Sequence, residues 1–269
     1  MELLVVVAIL GMLAALLLTA ISQAKSRAQC IQCANNVRQL GQAMQEYITD
    51  HHAYPLFCDP HAGNLPEDFS WVTAIQLGEF SGGKMDSYMN TNGSRGVPFF
   101  HQGVWLCPSA IRPSIFDKEG EYNKFVEDVS YGYNACGLSF QTDTNLLGLG
   151  GHYSSNSDRP GLISFHHPVG ESEIADPSEM LALGDGLLGG SNQLYEGSLF
   201  FERTDRQPKY PVFGSTQTAY ARHRGKANVV FCDGHVESPS LPFLFADAGD
   251  PALVRWNRDH QPHRELLQP

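Results

Sequence analysis

The chain has 269 residues with 29 acidic and 18 basic side chains, a formal net charge of −11. Such an acidic surface repels nucleic-acid phosphates and anionic lipid headgroups, so nucleic acid is excluded as a partner and charge-driven membrane docking with it. At 42% hydrophobic and 17% charged residues, the chain is long enough and apolar enough to bury a sizeable core. Any membrane attachment must come from hydrophobic insertion.

Residues 3–21 carry no charge. A helix needs about 20 apolar residues to cross the hydrocarbon core of a bilayer. A signal peptide competes for the same run, with Thr19-Ala20-Ile21-Ser22 as its small-residue site, but its apolar core is shorter, about 7 to 15 residues. Glu2 sits at the edge of the run. A carboxylate there is costly unless it reaches the headgroups or pairs with an amine from another subunit. Beyond the run, Val37, Leu40, Met44, Tyr47 and Ile48 recur at helical spacing as one apolar stripe. Pro55 disfavours helix just before it, so the helix is predicted to stop near His51 or His52. The division expected is a transmembrane helix over 1–24, its extramembrane continuation over 25–53, and an α+β head over 54–269. On charge alone, Lys25 and Arg27 after the apolar run would put the head in the cytoplasm.

From Pro55 onward the pattern changes to short apolar runs broken by Gly, Pro and Asn. Val104-Trp105-Leu106-Cys107, residues 129–134, Met180-Leu181-Ala182-Leu183, Ser198-Leu199-Phe200-Phe201 and Asn228-Val229-Val230-Phe231 read as strands. Residues 82–96 and 146–160 read as loops, and 259–269 as a loose tail. Asp233-Gly234 reads as a two-residue hairpin turn with both residues at positive φ, returning through His235-Val236-Glu237. A hairpin of this kind packed on the long helix predicts an α+β fold with an antiparallel sheet.

The segment Glu2-Leu3-Leu4-Val5-Val6-Val7-Ala8-Ile9-Leu10, followed by Ala14-Ala15-Leu16-Leu17-Leu18, resembles the N-terminus of type IV pilins and type II secretion pseudopilins. In that family a prepilin peptidase cuts after a glycine, the new amine is methylated, and a glutamate five residues in pairs with the amine of a neighbouring subunit. Glu2 matches that glutamate. The family's basic leader and glycine would precede Met1, so the resemblance implies a true N-terminus upstream and the peptidase as a partner. Thr19 stands where many relatives have a proline, so that kink is expected to be missing.

His223, nine further residues and then Asp233-Gly234 resemble the C-terminal signature of one prepilin-type family whose domain has no assigned role. Cys33-Ala34-Asn35-Asn36-Val37-Arg38-Gln39, Cys107-Pro108-Ser109, Ser130-Tyr131-Gly132-Tyr133-Asn134, residues 177–185 and Trp256-Asn257-Arg258-Asp259 agree in type and order. The resemblance implies a single-pass inner-membrane protein with its head in the periplasm or outside the cell. It implies self-assembly with other pilin-like subunits through the helix, in a secretion-like or filament apparatus, and no enzyme activity.

Cys30, Cys33, Cys58, Cys107, Cys136 and Cys232 make an even count, which permits disulfides in an exported head. Cys30-Ile31-Gln32-Cys33 has redox or metal spacing, but it lies within a helix and no second such pair follows. Cys33 and Cys107 are the disulfide candidates, with free buried thiols as the alternative. His223, Asp233, His235 and Asp259 are candidate metal ligands by side-chain chemistry, but their spacing matches no metalloenzyme motif, and the plainer reading is a turn at Asp233-Gly234 with His223 bonding a backbone carbonyl. Some pseudopilins hold calcium in a C-terminal loop, which makes Asp247, Asp250 and Asp259 candidates for calcium or another divalent ion; no other cofactor is implied. Trp71, Phe99, Phe100, Trp105 and Tyr133 suit either a sugar-binding face or the core. No Gly-x-Ser-x-Gly or phosphate-binding loop is present, and Gly148-Leu149-Gly150-Gly151 precedes no helix. The rival functions are a membrane-tethered module binding polysaccharide or protein, and a membrane-anchored metallohydrolase.

Overall fold

The computed structural model describes residues 2–57, 85–89, 95–100, 103–109, 130–138, 147–155, 163–185 and 222–267. Helix α1, Glu2–His51, is one unbroken element of 50 residues. It ends where the sequence requires: the amide of His52 closes the last turn on the Ile48 carbonyl at 2.7 Å, and His52 takes a left-handed φ of 53°. Thr19 returns its hydroxyl to the Leu16 carbonyl at 2.8 Å and leaves the helix intact.

The two halves of α1 have different surroundings. Residues 3–28 are exposed throughout. From Cys33 onward, Cys33, Asn36, Val37, Leu40, Ala43, Met44 and Ile48 are buried along one face, extending the predicted stripe toward the N-terminus. Tyr47 lies at its margin, half-buried.

This face packs on a four-stranded antiparallel sheet built from β3 (Tyr131–Tyr133), β6 (Leu181–Asp185), β7 (Val229–Phe231) and β8 (Val236–Glu237), side by side in that order. Sheet alternation divides β7 between two cores. Val230, with Cys232 beyond the strand, faces α1. Val229 and Phe231 face a second cluster formed with Leu241, Leu244 and Phe245 of α2 (Leu241–Phe245), Leu253 of α3 (Asp250–Leu253), and Trp256. The result is three layers: long helix, sheet, and short C-terminal helices. Gly41 lets α1 approach closely, since a Cβ there would lie 2.6 Å from Cγ2 of Val230.

Buried asparagines tie the layers together. The Asn134 amide donates to the carbonyls of Leu181 at 2.9 Å and Trp256 at 3.0 Å, and the Asn257 carboxamide oxygen accepts from the Leu138 amide at 3.2 Å. Two more antiparallel pairs are described: β1 (Met85–Met89) with β2 (Arg95–Phe100), and β4 (His152–Ser155) with β5 (Ile163–His167).

The long apolar helix and the antiparallel sheet agree with the α+β expectation. Several local expectations are corrected. Residues 82–96 and 146–160 contain strands, because backbone pairing there proceeds without an apolar alternation. Residues 103–107 form a buried turn instead of a strand; Gly103 has φ 97° and its carbonyl receives the Leu106 amide at 3.4 Å. The hairpin loop has three residues, Cys232, Asp233 and Gly234, and of the Asp-Gly pair only Gly234 has positive φ, at 88°. A first bend closed by the Gly234 amide on the Phe231 carbonyl, then one left-handed glycine, is the usual three-residue solution. Residues 259–267 are docked, with Leu266 and Leu267 packed against the second core. Trp105 and Tyr133 are fully buried, so they are core residues and not a sugar-binding face. Cys58, Trp71 and residues 198–201 lie outside the described residues, as do the side chains of Glu2, Phe99 and Phe100.

A candidate metal centre between helix and sheet

Four side chains from four separate stretches meet where α1 passes the end of β6. Cys33, Cys107, Asp185 and His223 are all buried, and one potential ligand atom from each lies within 4.8 Å of the others. Each is positioned by a different local device.

Cys33 is the first buried residue of α1. Gln29 and Asn36 flank it at helical spacing and hold the loop that carries Cys107, their amides donating to the Pro108 carbonyl at 3.0 Å and the Leu106 carbonyl at 2.9 Å. Asp185 closes β6, a fully buried strand, directly across from Tyr131 of β3. Its Oδ2 accepts the backbone amide of Asn228 at 2.9 Å and the Asn228 side chain at 3.2 Å.

His223 sits in a turn whose successive residues His223, Arg224 and Gly225 have φ of 47°, 59° and 77°. Left-handed backbone costs roughly 1 to 2 kcal/mol per non-glycine residue. The turn is pinned on its far side by Leu241, whose amide donates to the Gly225 carbonyl at 3.0 Å, and by the Ala227 amide on the Pro239 carbonyl at 3.0 Å. The strain delivers the imidazole into the cluster.

Inside the cluster, Cys107 Sγ is 3.1 Å from His223 Nε2. The same nitrogen is 3.4 Å from Asp185 Oδ2. Cys33 Sγ is 3.4 Å from both Asp185 oxygens and 3.3 Å from the Tyr131 hydroxyl. The Cys107 thiol is drawn down to about 4 by the hydrogen bond from Cys33 and, against burial, by His223. Cys33 is pushed far above the usual thiol range, first by its hydrogen bond to Cys107 and then by burial. Elsewhere among the described residues, burial pushes the Cys136 and Cys232 thiols up to about 12.

A cysteine, a histidine and an aspartate together invite comparison with a nucleophilic triad. In such a triad one imidazole nitrogen faces the nucleophile and the other faces the carboxylate. Here Nε2 faces both Cys107 and Asp185. Convergence of sulfur, nitrogen and oxygen on one point is the arrangement of a metal-ligand set.

The sequence-predicted residues are redistributed accordingly. His223 joins Cys33 and Cys107, and not Asp233, His235 or Asp259. Asp233 Oδ1 bonds the His235 side chain at 2.6 Å and its amide at 3.0 Å, an exposed turn-capping contact. Asp259 pairs with His263 at 2.7 Å. The calcium candidates are also engaged elsewhere: Asp247 accepts the Gly249 amide at 2.8 Å, and Asp250 pairs with Arg264 at 2.7 Å. Cys33 and Cys107, the proposed disulfide partners, are neighbours, and both are free thiols here. Cys30 is only half-buried and stands outside the group, so the Cys-x-x-Cys spacing does not define the site. Asp185 was not anticipated as a ligand. The available signal was a carboxylate ending the otherwise apolar stretch Met180-Leu181-Ala182-Leu183-Gly184.

Comparison with protein-family models, with curated proteins and with solved structures finds no match to the chain.

Proposed function

We propose that the chain is a membrane-anchored, pilin-like subunit that assembles laterally through the first half of α1 into a secretion-like pseudopilus or a surface filament. One observation carries this reading. A single 50-residue helix has an exposed, uncharged and predominantly apolar stretch over residues 3–21 and a second half that forms a layer of the head. Residues 3–21 span about 28 Å at 1.5 Å per residue, close to the thickness of a bilayer's hydrocarbon core. The apolar surface runs around the whole circumference, so it suits both lipid and the same helix of a neighbouring subunit. The resemblance of the segment from Glu2 to Leu18 to pilin N-termini supports the same reading, and it assigns subunit registration to Glu2 and an exported location to the head. In this role the molecule works by polymerisation and protein contacts, without turnover.

The test places a photo-crosslinking residue at Leu10, Leu13 or Leu17 of the full chain in its native membrane. A ladder of dimers, trimers and longer products is expected on illumination. A monomer band alone at all three positions would overturn assembly and leave a tethered binding module as the better account.

A further inference from the structure

We propose that Cys33, Cys107, Asp185 and His223 bind zinc as a closed, four-coordinate structural site that staples α1 to the head. Zinc takes thiolate sulfur at about 2.3 Å and imidazole nitrogen or carboxylate oxygen at about 2.0 to 2.2 Å, in tetrahedral array. Around such an ion neighbouring ligand atoms stand roughly 3.3 to 3.8 Å apart, by the geometry of a tetrahedron with those bond lengths. The separations here are 3.1 Å for Cys107 Sγ to His223 Nε2, 3.4 Å for His223 Nε2 to Asp185 Oδ2, and 3.4 Å for Cys33 Sγ to Asp185. Three of the six edges therefore already stand near tetrahedral lengths, and all four ligand atoms lie within 4.8 Å of one another, close enough to converge on a single ion.

The donor set selects the metal class. Two sulfurs and an imidazole favour zinc over calcium or magnesium, which prefer all-oxygen shells. Four protein ligands leave no open position, and all four residues are buried, so the site is structural. Binding releases to solvent whatever proton either thiol carries, as both sulfurs become thiolate ligands. An outer layer is also in place: Tyr131 Oη touches Cys33 Sγ, and two donors of Asn228 orient Asp185.

The ligands come from α1, from the 103–109 loop, from β6 and from the strained turn before β7. An ion held by all four joins the membrane helix to three separate parts of the head. That connection would resist a pull along α1, whichever larger assembly the helix joins.

The experiment uses the full chain extracted in mild detergent without chelators. Elemental analysis is expected to find about one zinc per chain, as a four-ligand site requires. Replacement with cobalt(II) should give the visible bands of a tetrahedral ion with thiolate-to-metal charge transfer. Cys107→Ser and His223→Gln should lose the ion, while Cys30→Ser should keep it. Because a ligand variant can unfold the head, Tyr131→Phe serves as a milder probe: the ring stays packed, and affinity should fall roughly 10- to 100-fold with loss of the hydroxyl contact. Three results would each overturn the site: a Cys33–Cys107 disulfide in the native protein, purified chain free of metal that takes up neither zinc nor cobalt, or zinc retained by His223→Gln.

Discussion

Residues 3–28 and 33–48 belong to one helix, yet they solve the burial problem in opposite ways. In the first stretch Leu3, Leu16 and Leu18 are 76%, 69% and 68% exposed, and no residue is charged until Lys25. In the second, Val37, Leu40 and Met44 are fully buried, while Arg38, Gln39 and Gln42 on the opposite side are exposed. A helix satisfies its own backbone polar groups, so it persists in lipid without any partner. What a partner adds is side-chain packing, and among the described residues the striped half has one and the first half has none. The unstriped half is long and apolar enough to cross a membrane.

This contrast is broken most forcefully by removing the same side chain from each half. Leu40→Ala opens a cavity between α1 and the sheet and should cost about 2 to 5 kcal/mol of head stability. Leu13→Ala removes an exposed leucine and should leave the melting of the head unchanged, showing instead as weaker retention in the membrane fraction. Thermal unfolding of the two variants in the same detergent measures the difference. Equal losses in both would mean that the first half packs on the head in a way the structure does not contain.

A smaller effect with the same logic comes from the two glycines of α1. A Cβ at Gly11 meets nothing within 4 Å, whereas one at Gly41 would lie 2.6 Å from the stiff side chain of Val230. Alanine gains about 1 kcal/mol of helix propensity over glycine at either position. At Gly41 overpacking should cost about 1 to 3 kcal/mol, so the net change should be destabilising or near zero. Gly11→Ala should show no such cost. Denaturant midpoints compared at constant slope separate the two. A stabilising Gly41→Ala would show that α1 and β7 have room to move apart.

The same two halves mark how far the fold was legible. The unbroken apolar run, the stripe and Pro55 speak directly of one helix and its end, because each is a local pattern with a local cause. The β7–β8 hairpin was equally plain, although its loop is one residue longer than the Asp-Gly pair suggests, since Gly234 alone needs positive φ. The candidate metal centre was visible only in fragments. Cys33, Cys107 and His223 were each singled out, but for different reasons, and Asp185 passed unnoticed at the end of an apolar strand. Their neighbours in sequence do not announce the site. Cys33 and Cys107 are joined through a loop clasped by Gln29 and Asn36, and His223 arrives through three successive left-handed residues. Those are tertiary facts. Conversely, Asp233, His235 and Asp259 had suitable chemistry but found nearer partners, Asp233 and His235 in each other and Asp259 in His263.

The last prediction concerns the end of the chain, where docking rests on polar contacts more than on burial. His263 lies between Asp259 at 2.7 Å and Glu265 at 2.8 Å. Burial by itself would lower its pKa, but the hydrogen bonds to the two carboxylates outweigh burial and raise it above the ordinary histidine value. In the unfolded chain the imidazole titrates near about 6.5. The folded state therefore binds its proton more tightly. The stabilisation is fully present below about pH 6.5 and is lost as pH rises through the higher folded value. His263→Gln removes the titrating group but keeps a hydrogen-bonding side chain. The gap in melting temperature between the parent and this variant should be widest below about pH 6.5 and narrow as pH rises above it. Solvent screening keeps the whole effect within about 1 kcal/mol. A gap that stays constant across that range would mean that His263 supports the tail by shape alone, and a gap that widens with pH would reverse the sign of the coupling.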